Sequence, residues 1–157
     1  MGTLTANQKI LLDLLEQMER TVSDLYDAFA QAFPTHAELW TKLSAEEQQH
    51  ASHIKNLACL AENGKVLFTE KMTTPTAVQA VIHDIRAKQQ RVQHGDFDLM
   101  KALAFGLSLE QAIIEHKFYD YFRTDDAETL RMIRTIQEET NAHAFRIRKA
   151  LDEQKKS

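Results

Sequence analysis

The chain has 157 residues, 43% apolar and 27% charged, enough for one domain with a sizeable core. Its formal charge of −4 and pI near 6.0 give no electrostatic basis for binding nucleic acid or an acidic membrane surface. Four Gly and two Pro favour long helices over a turn-rich sheet, and one cysteine, Cys59, excludes an intramolecular disulfide and any CxxC metal knuckle.

A first helix is predicted over 5–32, where Leu11, Leu14, Leu15, Met18, Val22, Leu25, Tyr26 and Phe29 recur every three or four residues. Pro34 interrupts it. Thr35 and Glu38 then have capping-box spacing and open a second helix over 36–63, which stops at Asn63-Gly64. A second such match, Ser44 to Glu47, falls inside that helix and is read as chance. The segment from Lys65 to Thr74 reads as irregular, with an apolar strap at Val66, Leu67 and Phe68. Thr74-Pro75 is a cap followed by a proline in the first turn, so a crossover helix is predicted over 75–94, ending at Gly95. Two further helices are predicted over 97–123 and 126–153, the last opened by Asp125 and Glu128.

Short loops within each outer pair of helices require antiparallel neighbours, and the stretch from Gly64 to Gly95 can cross from one end of a bundle to the other. The expected fold is therefore all-α: a four-helix bundle, built as one domain over 1–157, with one long helix-containing crossover. The two pairs also look like repeats. Tyr26 and Tyr119 stand 93 residues apart, and the same offset relates Glu46 to Glu139, His50 to His143 and Ile54 to Ile147.

Several acids and imidazoles fall on apolar helical faces, where burying an unpaired charge costs several kcal/mol (roughly). Glu19 lies in the stripe Leu15, Val22, Tyr26, Phe29, whereas Glu16 shares a face with Lys9, Asp13 and Arg20. On the second helix, turning about 100° per residue, Glu47 and His50 project inward and Glu46 flanks them. The last helix repeats this around His143, with Thr140 at the place of Glu47 and Glu139 at the outer place of Glu46. The helix over 97–123 presents Glu115 among Ala104, Phe118, Tyr119 and Phe122, and Glu110 turns toward its edge. Carboxylates and imidazoles aimed into one interior are the ingredients of an iron or manganese site, with zinc also served. The same residues admit another role, in which an inward Glu bonds Tyr26 or Tyr119 and an inward His is a satisfied core group.

The order Glu19–Tyr26, Glu47-x-x-His50, Glu115–Tyr119, Glu139-Thr140-x-x-His143 resembles the ferritin-like superfamily, and within it the rubrerythrin-like domains, over about residues 8–152. The resemblance implies two metals held by one Glu from each of two helices and E-x-x-H from each of the others. Glu19, Glu47, His50, Glu115 and His143 match; Thr140 departs from the pattern, and Glu139 would serve only by swinging inward. The resemblance further implies a non-haem di-iron oxidase or peroxidase acting on hydrogen peroxide or dioxygen. Having one cysteine, such an enzyme would need a separate electron donor. A bundle with a degenerate metal site, kept as an oligomeric or partner-binding module, is the alternative, and sequestration of metal without turnover is a third. A homodimer is the expected assembly, since Leu103, Leu107, Ile114 and Tyr121 form a second apolar edge that suits a dimer contact or the packing of the crossover helix. The cytoplasm is the expected location: the opening MGTLTANQK lacks a secretory pattern, no apolar run nears the roughly 18 residues that span a bilayer, and a lone cysteine suits a reducing compartment.

Overall fold

A computed structural model describes residues 4–71, 73–116 and 118–157, with Glu115 and His116 described for their backbone alone. The chain is helical: α1 (Ala6–Ala32), α2 (Ala37–Glu62), α3 (Pro75–Gln93), α4 (Leu99–His116) and α5 (Ala127–Lys155). Two dipeptide strands accompany them, β1 (Leu67–Phe68) and β2 (Phe122–Arg123), paired antiparallel with Phe68 opposite Phe122. No helix among the described residues is long and apolar enough to cross a membrane.

Local chemistry explains most helix ends. Thr5 accepts from the Gln8 backbone N–H, and the Gln8 side chain accepts from the Thr5 N–H, which satisfies two donors at the start of α1. Thr74 accepts from Ala77 N–H and Pro75 fills the first turn of α3. Gly64 and Gly95 follow α2 and α3 at φ of 75° and 74°, a conformation that costs glycine nothing. Two expected caps are corrected. Pro34–His36 forms a 3-10 turn, so the Thr35–Glu38 box does not close, and α2 begins after His36 with no side-chain cap. The cap of α5 is Asp126, not Asp125; it accepts from the Thr129 N–H at 2.9 Å and hydroxyl at 2.7 Å.

The largest correction concerns the fourth helix. It ends at His116; Phe118–Tyr121 forms a 3-10 turn, and Phe122 enters β2. The apolar strap at Val66, Leu67 and Phe68 captures this segment. Phe68 packs on Phe122 with ring centroids 5.1 Å apart and on Tyr121 at 6.2 Å, while Thr69 N–H donates to the Tyr121 carbonyl at 2.8 Å. The Tyr26/Tyr119 pair therefore lacks a common secondary structure, whereas the pairs on α2 and α5 keep theirs.

α1 packs on α2 and on α3, α4 packs on α5, and α2 also meets α5. Ser23 and Ser44 bring α1 and α2 close: each hydroxyl donates to the other residue's carbonyl at 3.0 Å, and the two oxygens lie 2.9 Å apart. At one end of the core Trp40 is enclosed by Tyr26 and Phe29, with centroids at 5.3 and 4.8 Å, and α4 passes over it at Gly106. A Cβ at that position would stand 3.3 Å from the indole, so the absence of a side chain sets the approach of the two helices. Leu103, Leu107 and Tyr121 are buried within the chain, which removes most of the second apolar edge as an exposed dimer contact.

Candidate metal centre

On α4 the buried positions Ala102, Leu103, Gly106, Leu107, Leu109, Glu110 and Ile113 follow the three-and-four spacing of a helix face, while Ala104 is exposed. Glu110 is thus on the inner face, with no exposed surface, and not at the edge. The cause of the misreading is plain: Phe118, Tyr119 and Phe122 lie beyond the helix, so using them to set its phase rotated the predicted face. The stripe Leu103, Leu107, Glu110, read without them, carried the signal. Glu115 lies in the last turn of α4, and its side chain is outside the described residues.

Four other ligand candidates are placed firmly. Glu19 on α1, Glu47 and His50 on α2, and His143 on α5 are each at most 1% exposed. Glu47 is central. Its Oε1 lies 2.9 Å from His143 Nδ1, and its Oε2 lies 3.3 Å from His50 Nδ1 without hydrogen-bond alignment. The two imidazoles stack at a centroid distance of 5.4 Å and an interplanar angle of 20°. Glu110 Oε1 is 3.5 Å from His143 Nδ1 and accepts from the Tyr26 hydroxyl at 2.7 Å. Tyr26 therefore braces the α4 carboxylate in the manner of a ligand's outer support. Donor atoms of Glu47, His50 and His143 all lie within 4.8 Å of one another. Around an ion with bonds of roughly 2.0–2.2 Å, donors stand about 3–4 Å apart, so a shift of under an ångström closes this set onto one cation.

Glu139 is set apart from these inner groups. It does not swing inward; it contacts His50 at the other ring nitrogen, with Oε1 3.3 Å from Nε2, and its side chain is 24% exposed. Being one residue before Thr140, it stands about 100° around the helix from the inward position. Thr140 itself is buried, and its hydroxyl donates back to the Ile136 carbonyl at 2.7 Å. Glu46 mirrors Glu139: its Oε2 lies 2.6 Å from His143 Nε2 and accepts from Arg146 at 3.3 Å.

The electrostatics describe an interior crowded with negative charge. Burial and the Glu47 carboxylate push Glu110 up to about 7, against the pull of His143 and Tyr26. Burial and the neighbouring Glu47 also hold Glu19 well above the ordinary carboxylate range. Burial opposes charge on Glu47 as well, yet the adjoining Glu19, His143 and His50 side chains outweigh it and hold Glu47 well below that range. Burial likewise disfavours a charged His143, but Glu110 and Glu47 raise it to about 11. Against its burial, the neighbouring Glu47 carboxylate raises His50 in the same way. Even so, Oε1 and Oε2 of Glu19, Oε2 of Glu47 and Oε2 of Glu110 are buried and receive no hydrogen bond from a described residue. Four orphaned carboxylate oxygens, of which Glu47 Oε2 lies 3.3 Å from His50 Nδ1, fit a divalent cation, which satisfies lone pairs that no local donor reaches.

An apolar cavity of about 110 Å³ lies elsewhere, between α1, α3 and α4, with Leu15, Met18, Val78, Ile85 and Ile113 among its walls. None of the candidate donors lines it. Cys59 is exposed and belongs to neither place.

Compared with known proteins, the chain matches no family model, and no curated protein or solved structure matches it significantly.

Proposed function

We propose that this chain is a ferritin-like four-helix metal protein of rubrerythrin-like type, binding iron through Glu19, Glu47, His50, Glu110 and His143. Support for the fold comes from the pairing of α1 with α2 and α4 with α5, joined by α3 in a long crossover. The observation that carries the metal reading is the group of four unbonded buried carboxylate oxygens on Glu19, Glu47 and Glu110, together with the converging donors of Glu47, His50 and His143. Glu110 takes the place that the resemblance gave to Glu115, and Thr140 leaves α5 without its carboxylate. Accordingly one position, furnished by Glu47, His50 and His143, binds strongly. The second is short of a donor. Manganese and zinc suit the same donors.

The function proposed is reduction of hydrogen peroxide or dioxygen. Bound ferrous iron would supply one electron per ion to the O–O bond, and a separate donor would supply the second and restore the ferrous state, because one cysteine cannot build a rubredoxin-type centre. The chain's own groups do the rest. Tyr26 fixes Glu110 by its hydrogen bond, and the enclosing apolar core keeps bulk water from the donor set.

Two assays test this. Elemental analysis of protein purified without chelators, then loaded anaerobically with ferrous iron, should give about one metal per chain, lost in Glu47→Ala. Peroxide consumption by the loaded protein should fall with the same substitution. Metal retention without consumption would favour storage, and no metal at all would leave a helical module whose buried acids are merely protonated.

A further inference from the structure

The metal-centre donors leave untouched the apolar cavity of about 110 Å³ between α1, α3 and α4. Its floor is deeply buried: Leu15 and Val22 on α1 and Ile85 on α3 are at most 1% exposed. Its rim is not. Ala77 and Val81 on α3 are exposed and Ala112 on α4 is half-buried, so the hollow reaches the surface. We propose that this cavity binds one small uncharged apolar molecule, a ring or alkyl segment of about six carbon atoms.

The walls set the ligand's chemistry. Among the described residues none of them is charged, so an ionic ligand would leave water and gain no counter-charge. The one polar wall side chain is Thr73, whose hydroxyl is already paired with the Tyr121 hydroxyl at 2.9 Å. Enclosed water needs about two to four polar partners, and these walls do not offer them. An empty hollow is unfavourable too, because lining atoms without neighbours lose their dispersion contacts. An apolar guest removes both penalties. Size agrees: a dry cavity of roughly 150 Å³ walled by Leu, Ile and Phe takes benzene or xenon, and this one is smaller but open at its rim. Ala77 and Ala112 keep the entrance clear, each presenting a single methyl group where a longer side chain would lie across it. Met18, another wall residue, has an unbranched thioether that adjusts to the guest's outline.

Benzene is the probe, added to chelator-treated protein so that the outcome is independent of any metal. Methyl ¹H–¹³C spectra should show saturable shifts centred on Val22, Val78, Ile85 and Ile113, which line the cavity. The melting temperature should rise with benzene concentration. Ala112→Phe places a ring in the cavity; it should match or exceed the wild-type melting temperature and lose the saturable response. Wild-type shifts that never saturate, or that centre on other methyls, would overturn the proposal even if the variant does not fold. Equal benzene affinity in the wild type and a folded Ala112→Phe would do the same. Shifts of these methyls that follow protein concentration without benzene would give the cavity to a side chain of a second copy, and would overturn it too.

Discussion

At His143 the interior charge problem is solved by proton uptake, and that has a consequence for stability. Its folded pKa of about 11 lies far above the 6.5 of a free histidine, so its contribution is complete below pH 6.5 and is lost as pH rises toward 11. Glu110, raised to about 7, and Glu19, also raised, act in the same direction: each destabilises the fold as pH climbs above the ordinary carboxylate value and the buried carboxyl resists ionising. Glu47, held low, works at the acid end, where its stabilising contribution disappears as pH falls. With chelator present, the melting temperature should therefore be lower at about pH 9 than at about pH 6.5. A bound cation should cancel the alkaline decline, and its uptake should release protons, because the donors must deprotonate. Equal melting temperatures across that range would mean that His143 and Glu110 do not share a proton system. Residue identities made much of this legible: Glu47, His50, His143 and Glu19 stand out on apolar faces in the sequence. Glu46 and Glu139 were visible only as flanking acids, since which ring nitrogen an acid meets depends on how α2 and α5 are placed in space.

Among the elements, α4 and α5 explain where the sequence misled. Propensity and apolar spacing continue past His116, but the pairing of β2 with β1 is a contact over more than fifty residues, and local periodicity carries no trace of it. Gly106 marks the point where α4 crosses Trp40. Gly106→Val would drive a branched side chain into the indole and should cost about 1–3 kcal/mol by overpacking, measured by urea denaturation; no loss would mean that α4 can move off Trp40. On α5, Thr140 already faces inward three residues before His143. Thr140→Glu restores E-x-x-H there and should raise the metal content from about one toward two per chain. Without metal, the added buried carboxylate should lower stability by about 3 kcal/mol, and ferrous loading should recover it. Unchanged stoichiometry would show that Thr140 is not the place of a missing ligand.

For the molecule as a whole, composition alone pointed to a helical chain: glycine and proline are scarce and fall at the helix breaks by Pro34, Gly64 and Gly95, whereas the break after His116 carries neither residue. The helix expected over 75–94 was legible as well, since Thr74-Pro75 and Gly95 bracket α3 in sequence. What holds the candidate site in register is larger than any helix: α1, α2, α4 and α5 each contribute at least one inward acid or imidazole, so these groups meet only when all four are packed. X-ray absorption at the iron edge of the ferrous-loaded protein tests this most directly, because it counts imidazoles on the bound ion. We predict two histidine nitrogens with carboxylate oxygens, falling to one in His50→Ala and one in His143→Ala. An ion with no histidine in its shell, or a spectrum unmoved by both substitutions, would contradict the account.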